Sequence, residues 1–219
     1  MMNTIILIVL ALLTIIFVKN CKNRSILNGV IIIVFLLYVI FIVIGINFRF
    51  SSIAAARANF FVNSDDKWIT NVKLDENEVH LFYDIKDDIY RAVYVQKLTL
   101  GYRSNFSSFS YPHYEDKIQL LGNVNVIEDR LKYSAFFIKS IDDEVTSISL
   151  VDANGNILKS TEIKIDEIVS MTYIYKNNKI SNDCTLIAYD KELKPKYYLG
   201  YKKGVTVFKD EEYKWYEYE

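Results

Sequence analysis

The sequence predicts a membrane α-hairpin of two transmembrane helices followed by a mainly-β domain, either an antiparallel sandwich or a curved meander sheet. Residues 1–47 contain none of the 27 acidic residues of the chain and only three basic ones. Beyond Asp65 the apolar residues recur with a period of two in short runs separated by turn residues, which is the pattern of half-buried strands. We therefore divide the chain into a membrane part (1–50), a juxtamembrane helix or linker (51–66) and a mainly-β domain (67–219).

Two apolar runs make up the membrane part. The first extends from Asn3 to Val18, about 24 Å of helix at about 1.5 Å per residue, and is just long enough to cross a bilayer. The second extends from Ile26 to Asn47, about 33 Å, and matches a full hydrocarbon thickness. A cleavable signal peptide is the alternative for the first run, but the positive start and small-residue exit of such a peptide are absent.

The short basic loop between the two runs predicts the orientation. It carries Lys19, Lys22 and Arg24, and the positive-inside rule keeps such a loop in the cytoplasm. Arg49 and Arg57 flank the other end of the second run and oppose this assignment, two cations against three. We predict a multi-pass protein of the cell membrane with an extracytoplasmic C-terminal domain. The abundance of Ile, Lys, Asn and Tyr is typical of bacterial coding sequences of low GC content.

A short helix is predicted after the second run, from Ser51 to Phe61. Ser51 or Ser52 can cap its first turn, and the alanines that follow favour helix. Its apolar side is expected to comprise Ile53, Ala56, Phe60 and Phe61. Two roles remain open for it, a stalk packed on the β domain or an amphipathic helix at the membrane interface.

The β domain is predicted to contain eleven short strands. Most connections between them are tight, which favours antiparallel hairpins over crossover helices. The acidic and aromatic residues from Asp210 to Glu219 predict a further edge strand. The eleven candidates are Glu78–Ile85, Tyr90–Thr99, Lys117–Leu121, Asn123–Ile127, Lys132–Lys139, Thr146–Val151, Ile157–Ile165, Val169–Tyr175, Cys184–Tyr189, Lys196–Tyr201 and Val205–Phe208.

The segment from Gly101 to Glu115 departs from the strand pattern and combines aromatic rings with hydroxyls. It is too long for a tight hairpin, and long loops often carry function, so we predict a binding loop here. The alternative is an ordered connection packed by its own rings. The candidate binding residues are Tyr102, Arg103, Phe106, Phe109, Tyr111, His113 and, from the end of the chain, Trp215.

Several chemistries find no support in the sequence. The part after Asn47 has 23 basic against 27 acidic residues and no basic stripe, which argues against nucleic acid. No glycine-rich phosphate loop or dinucleotide fingerprint occurs, so no nucleotide or other cofactor is predicted. The stretch Asp152–Asn156 begins like a calcium loop, but Ile157 stands where the sharp turn needs Gly, and Asn154-Gly155 is more simply a hairpin turn. No metal ligand and no catalytic residue are predicted.

The histidines and cysteines are interpreted individually. His80 alternates with apolar neighbours in a strand and is expected to face solvent, whereas His113 lies in the long segment. Neither has a His or Cys at zinc-ligand spacing. Cys21 and Cys184 fall on opposite sides of the second apolar run, so no disulfide is predicted, and Cys184 is interpreted as a buried small hydrophobe.

Three functions are carried forward from the sequence. The first is a binding, sensory or interaction module of the cell envelope, anchored in the lipid bilayer and meeting another envelope protein, a peptide or a glycan. The second is a structural or assembly subunit of a membrane complex, packed through its helical hairpin. The third is an envelope hydrolase that uses the 101–115 segment, where Ser107, Ser108 and Ser110 precede His113.

Overall fold

The computed structural model describes residues 24–45, 48–128, 131–175, 184–202 and 213–218. Two helices and a two-residue strand come first: α1 (Arg24–Gly45), β1 (Phe48–Arg49) and α2 (Ser52–Arg57). Twelve strands follow in the described ranges: β2 (Lys67–Leu74), β3 (Asn77–Asp84), β4 (Ile89–Leu98), β5 (Gly101–Ser110), β6 (Ile118–Glu128), β7 (Leu131–Ser140), β8 (Ser147–Val151), β9 (Ile157–Glu162), β10 (Ile168–Tyr175), β11 (Thr185–Tyr189), β12 (Pro195–Gly200) and β13 (Lys214–Glu217). The predicted run Asn3–Val18, Cys21 and the candidate strand Val205–Phe208 lie outside these ranges.

The strands form three antiparallel sheets. Sheet A has the order β1-β5-β4-β3-β2, sheet B the order β10-β7-β6, and sheet C the order β13-β12-β11-β8-β9. Most neighbours in a sheet are also consecutive in the chain, as tight hairpins require. Gly155 adopts a φ of 83°, which suits the predicted Asn154-Gly155 turn between β8 and β9. The prediction of an antiparallel, mainly-β domain is confirmed.

Sheet B lies between the other two sheets and is buried on both faces. In β7, Ala135 and Phe137 pack with residues of sheet A, whereas Phe136 and Ile138 pack with residues of sheet C. Successive side chains of a strand point to opposite faces, so one strand contributes to two cores. This explains why β7 carries an apolar run rather than the alternation of a strand with one solvated face. The β domain therefore has three sheet layers.

The outer face of sheet A is covered by α2 and the turn after it. Ala55 and Ala56 of α2 pack on Phe82, Val93 and Val95 of the sheet. Ser51 caps the helix by accepting a hydrogen bond from the amide N of Ala54 at 3.3 Å, as predicted.

The predicted extent of this helix, and most of its apolar side, are wrong. The helix ends at Arg57, and Ile53, Phe60 and Phe61 are exposed. After Ala58 the chain turns towards β5, where Asn59 Nδ2 donates to the hydroxyl of Ser104 at 2.8 Å. Phe60 and Phe61 therefore do not continue the helix.

The segment from Gly101 to Ser110, predicted as a loop, is instead strand β5. Its hydroxyls are compatible with a strand because they serve the neighbouring sheet. Ser110 Oγ donates to the carbonyl of Leu121 in β6 at 2.7 Å, and Ser108 Oγ donates to the carbonyl of Asn123. These serines resemble turn residues in the sequence, but in the structure their hydroxyls form hydrogen bonds between sheets A and B.

Two further strand predictions are corrected. Lys117–Leu121 and Asn123–Ile127 are one strand, β6, with a bulge between Leu120 and Gly122. At Gly122 a Cβ atom would lie 3.0 Å from Leu81 Cδ1 and 3.1 Å from Ala92 Cβ, a tight contact that shows how closely sheets A and B approach there. Strand β2 was not predicted, because half of its side chains are exposed and its alternation is weak.

Helix α1 covers the second predicted membrane run from its start as far as Gly45. Its side chains are described from Asn28 to Tyr38, and they include exposed Ile32, Ile33 and Phe35. Within the described residues, no helix meets the length and hydropathy required to cross a membrane. The stretch of α1 with described side chains is itself shorter than a bilayer crossing. The pair of transmembrane helices stays a prediction.

Candidate binding groove

Two cavities flank a pair of aromatic rings near the end of β5. The rings of Phe109 and Tyr111 meet edge to face with centroids 5.9 Å apart, and both residues line both cavities. The outer cavity holds about 320 Å³ and the inner cavity about 420 Å³. We call the two cavities together the groove. The other residues of the outer cavity are Phe61, Asp87, Ile89, Arg91, Ser107 and Ser108, and those of the inner cavity are Ser110, His113, Asp116, Leu120, Asn123, Tyr213, Lys214 and Trp215.

The two cavities share Phe109 and Tyr111 and are completed by different neighbours of β5. Ser110 points towards sheet B, where it bonds to β6, and the inner cavity is completed by residues of β6 and β13. Phe109 lies opposite Arg91 in the register of β4 and β5, and the outer cavity is completed by Arg91 and by Phe61 from the turn after α2. The groove thus crosses the edge where the three sheets are stacked.

The outer cavity contains an arginine that is neutralised by its own neighbours. Arg91 Nη2 donates to Asp84 Oδ2 at 2.8 Å, and Arg91 Nε lies 3.5 Å from Asp66 Oδ2. The hydrogen bond from Arg91 lowers the pKa of Asp84 to about 2. Because the guanidinium is balanced by buried carboxylates, the outer cavity has little attraction for an anion.

The inner cavity combines an apolar wall with a polar rim. Trp215 is 6% exposed, and its indole N–H has no hydrogen-bond partner among the described residues. Tyr213 packs edge to face on Tyr201, with ring centroids 5.3 Å apart. The amide N of Asp116 donates to the carbonyl of His113 at 3.0 Å, and this turn brings both side chains to the cavity. The lining suits a mostly apolar group with a few polar contacts.

The structure brings four of the seven predicted binding residues together. Phe109, Tyr111, His113 and Trp215 all line the inner cavity, although Trp215 is distant in sequence. The other three, which line neither cavity, lie in the first part of β5.

Those three residues pair with or contact other residues of sheet A instead. Tyr102 pairs with Arg49 of β1, Arg103 Nη2 donates to Gln96 Oε1 at 3.1 Å, and Phe106 lies opposite Tyr94.

The sequence interpretation missed several groove residues. Arg91 was not singled out because a charged residue within a strand usually faces solvent. Phe61 was assigned to the apolar side of a helix. Tyr213 and Lys214 belong to the acidic and aromatic segment that was predicted as an edge strand, and its aromatic residues were the available signal that β13 contributes to a site.

The serine and histidine side chains near the groove do not form a nucleophile and base pair in the described residues. The hydroxyls of Ser108 and Ser110 donate to carbonyls of β6, so they are already engaged. No hydrogen bond joins the described His113 ring to a serine hydroxyl or to a carboxylate. An activated nucleophile needs such a bond to a neighbouring base.

His80 is buried, which contradicts the expectation that it faces solvent. It is 3% exposed because α2 covers this face of sheet A, and burial lowers its pKa. Its Nε2 lies 2.7 Å from Ser52 Oγ and 3.2 Å from Glu78 Oε2, while Nδ1 has no partner among the described residues. A catalytic triad needs the serine and the carboxylate on different ring nitrogens, so this cluster is a tether between α2 and β3.

Comparison of the chain with protein-family models and with curated protein sequences finds no match. The function is therefore argued from the geometry of the groove and from the distribution of apolar residues.

Replacing Asp84 with Asn tests the Arg91 cluster. A carboxyl group whose pKa is lowered by folding stabilises the protein above its unfolded pKa, near 4, and this contribution is lost as the pH falls towards 2. We expect Asp84→Asn to lower the free energy of unfolding near neutral pH by about 1–3 kcal/mol. The deficit relative to the wild type should shrink between about pH 4 and pH 2.

Asp87→Asn is the matched control, because the Asp87 side chain is 67% exposed and lies 3.8 Å from Arg91 Nη2. Its effect should stay within about 0.5 kcal/mol. Denaturant unfolding across this pH range measures both variants. A deficit for Asp84→Asn that is independent of pH would contradict the assigned role of the Asp84 carboxylate.

Proposed function

We propose that the protein is a membrane-anchored binding module of the bacterial cell envelope, whose β domain lies outside the cell and takes a partner in the groove. The observation that carries this proposal is the clustering of aromatic rings around the two cavities. Phe109 is 63% exposed and Tyr111 60% exposed, so two large apolar rings stand in solvent beside a concave surface. Rigid rings of this kind give contact area at a low cost in conformational entropy.

Binding fits the groove better than catalysis. Its polar groups are either engaged, like Ser108, Ser110 and Arg91, or spread around a rim, like His113 and Asp116. A hydrolase requires a nucleophile, a base and an orienting group within hydrogen-bond reach of one another. This requirement favours the binding module over the envelope hydrolase.

The membrane anchor is supported by α1 and by the residues around it. Exposed aliphatic and aromatic side chains on the described part of α1 are poorly suited to water. The apolar sequence continues on either side of this part, and three basic residues precede it. β1 begins only three positions after the end of α1, so the β domain would be held close to the bilayer surface.

Photocrosslinking tests whether the groove meets a partner in cells. We expect p-benzoylphenylalanine placed at Phe109 or at Tyr111 to give a discrete adduct of higher mass after irradiation, because both rings are exposed in the groove. The control position is Ile157 in β9, which is also exposed but lies on the far edge of sheet C. Equal labelling at all three positions, or no adduct at the groove positions, would remove the support for a binding module.

Thiol labelling tests the anchor and its orientation. In a Cys184→Ser background, an Ala153→Cys substitution places a thiol in the exposed β8–β9 turn, and Cys21 serves as the reporter of the basic loop. With a membrane-impermeant maleimide on intact cells, we expect the thiol at position 153 to react and Cys21 to react only after permeabilisation. The chain should also stay in the membrane pellet after alkaline carbonate extraction. The reverse labelling pattern, or release by carbonate, would overturn this part of the proposal.

A further inference from the structure

A buried histidine attaches helix α2 to sheet A. The side chain of His80 is 3% exposed, and its Nε2 lies 2.7 Å from the hydroxyl oxygen of Ser52, the first residue of α2. The same nitrogen lies 3.2 Å from Glu78 Oε2. The other buried side chains of α2 are those of Ala55 and Ala56, which pack on the sheet through apolar contacts. The contact between Ser52 and His80 is therefore a polar attachment within an apolar interface.

The neighbours of the His80 ring determine which of its nitrogens carries the proton. A carboxylate only accepts hydrogen bonds, so Nε2, which faces Glu78, carries the hydrogen and Nδ1 of the neutral ring is bare. Nδ1 is buried and has no hydrogen-bond partner among the described residues. A second proton would create a charged N–H group there without an acceptor, and burial of such a group is costly. The packed arrangement therefore disfavours the imidazolium ion.

The charged groups around the ring act in opposite directions. Glu78 favours the imidazolium ion, and Asn71 Nδ2 holds this carboxylate by donating to its Oε2 at 3.1 Å. Further charged groups on this face of sheet A or on α2 are Arg49 of β1, Arg57 of α2, Lys73 of β2, Asp84 of β3, and Arg91 and Lys97 of β4. Burial outweighs the attraction of Glu78, so the pKa of His80 is lowered in the folded chain.

Detachment of α2 would change the protonation of His80. In the detached state water reaches the ring, and its pKa returns towards the ordinary value of about 6.5. The detached state then binds a proton at a higher pH than the attached state does. The detached fraction must therefore increase as the pH falls below about 6.5, and the increase ends once the attached state is itself protonated.

We propose that the contact between Ser52 and His80 is a pH-sensitive clasp, which holds α2 on sheet A near neutral pH and releases it in mildly acidic solution. Release uncovers the apolar surface of sheet A around Phe82, which α2 covers. β1 keeps its own pairing with β5, and beyond the helix Asn59 keeps its hydrogen bond to Ser104. The change is therefore confined to the segment between these two attachments, and it does not depend on a ligand in the groove.

Hydrogen exchange of the full chain in lipid nanodiscs tests the clasp. The amides of Ala55 and Ala58 donate to the carbonyls of Ser51 and Ala54 in the attached helix, and an unpacked helix of six residues does not persist in water. We expect the protection factor of these amides, corrected for the intrinsic exchange rate at each pH, to fall at least about threefold between about pH 7.5 and pH 5. The protection factors of β3 should change by less than about twofold.

The chain has two histidines, and histidine is the side chain whose ordinary pKa lies in this pH range, so two substitutions assign the effect. His80→Gln should abolish the pH dependence of α2 protection, whereas the matched control His113→Gln should keep it. Glu78→Gln retains the histidine but removes the carboxylate that favours the imidazolium ion, so the loss of protection should move to lower pH.

Three results would overturn the clasp. The first is α2 protection that does not change with pH in the wild type. The second is a pH dependence that survives His80→Gln or disappears in His113→Gln. The third is a Glu78→Gln variant whose loss of protection stays in place or moves to higher pH, and this result decides the matter if His80→Gln does not fold.

Discussion

The fold depends on sheet B being packed on both faces. Phe137 of β7 belongs to the core shared with sheet A, and its neighbour Phe136 belongs to the core shared with sheet C. Each outer sheet buries its apolar face against one side of sheet B, and burial of apolar area is the main favourable term in folding. At Gly122 a Cβ atom would be in tight contact with Leu81 and Ala92, so sheet A lies close to this middle layer. The strands of sheet B thus contribute to both cores.

The groove is a consequence of this stacking. With sheets A and C on either side of sheet B, residues of β5, β6 and β13 come together around the inner cavity. The hydroxyls of Ser108 and Ser110 donate to carbonyls of β6. The aromatic pair Phe109 and Tyr111 then stands at the junction, with a cavity on each side. The groove therefore lies where the three sheets meet.

The sequence predicted what depends on local periodicity and missed what depends on stacking. Strands such as β3 and β11 were found within a residue or two, because alternation and turn residues define them. β5 was interpreted as a loop because its serines resemble turn residues, and only the neighbouring carbonyls of β6 show why they suit a strand.

The residues of the candidate site were likewise predicted only where the sequence gives a local signal. Four predicted residues lie in the inner cavity, since exposed aromatic residues were a usable signal for Phe109 and Tyr111. The place of Arg91 in the groove and the burial of His80 depend on the cover provided by α2 and the turn after it, which no local pattern predicts.

The most direct test of the three-layer account is the free energy of unfolding of two adjacent variants, Phe136→Ala and Phe137→Ala, measured separately by denaturant unfolding with the exposed Ile157→Ala as control. The account predicts that each phenylalanine variant loses about 3–5 kcal/mol and the control less than about 0.5 kcal/mol. A loss below about 1 kcal/mol for either phenylalanine would mean that one face of β7 is solvated, and would contradict the account.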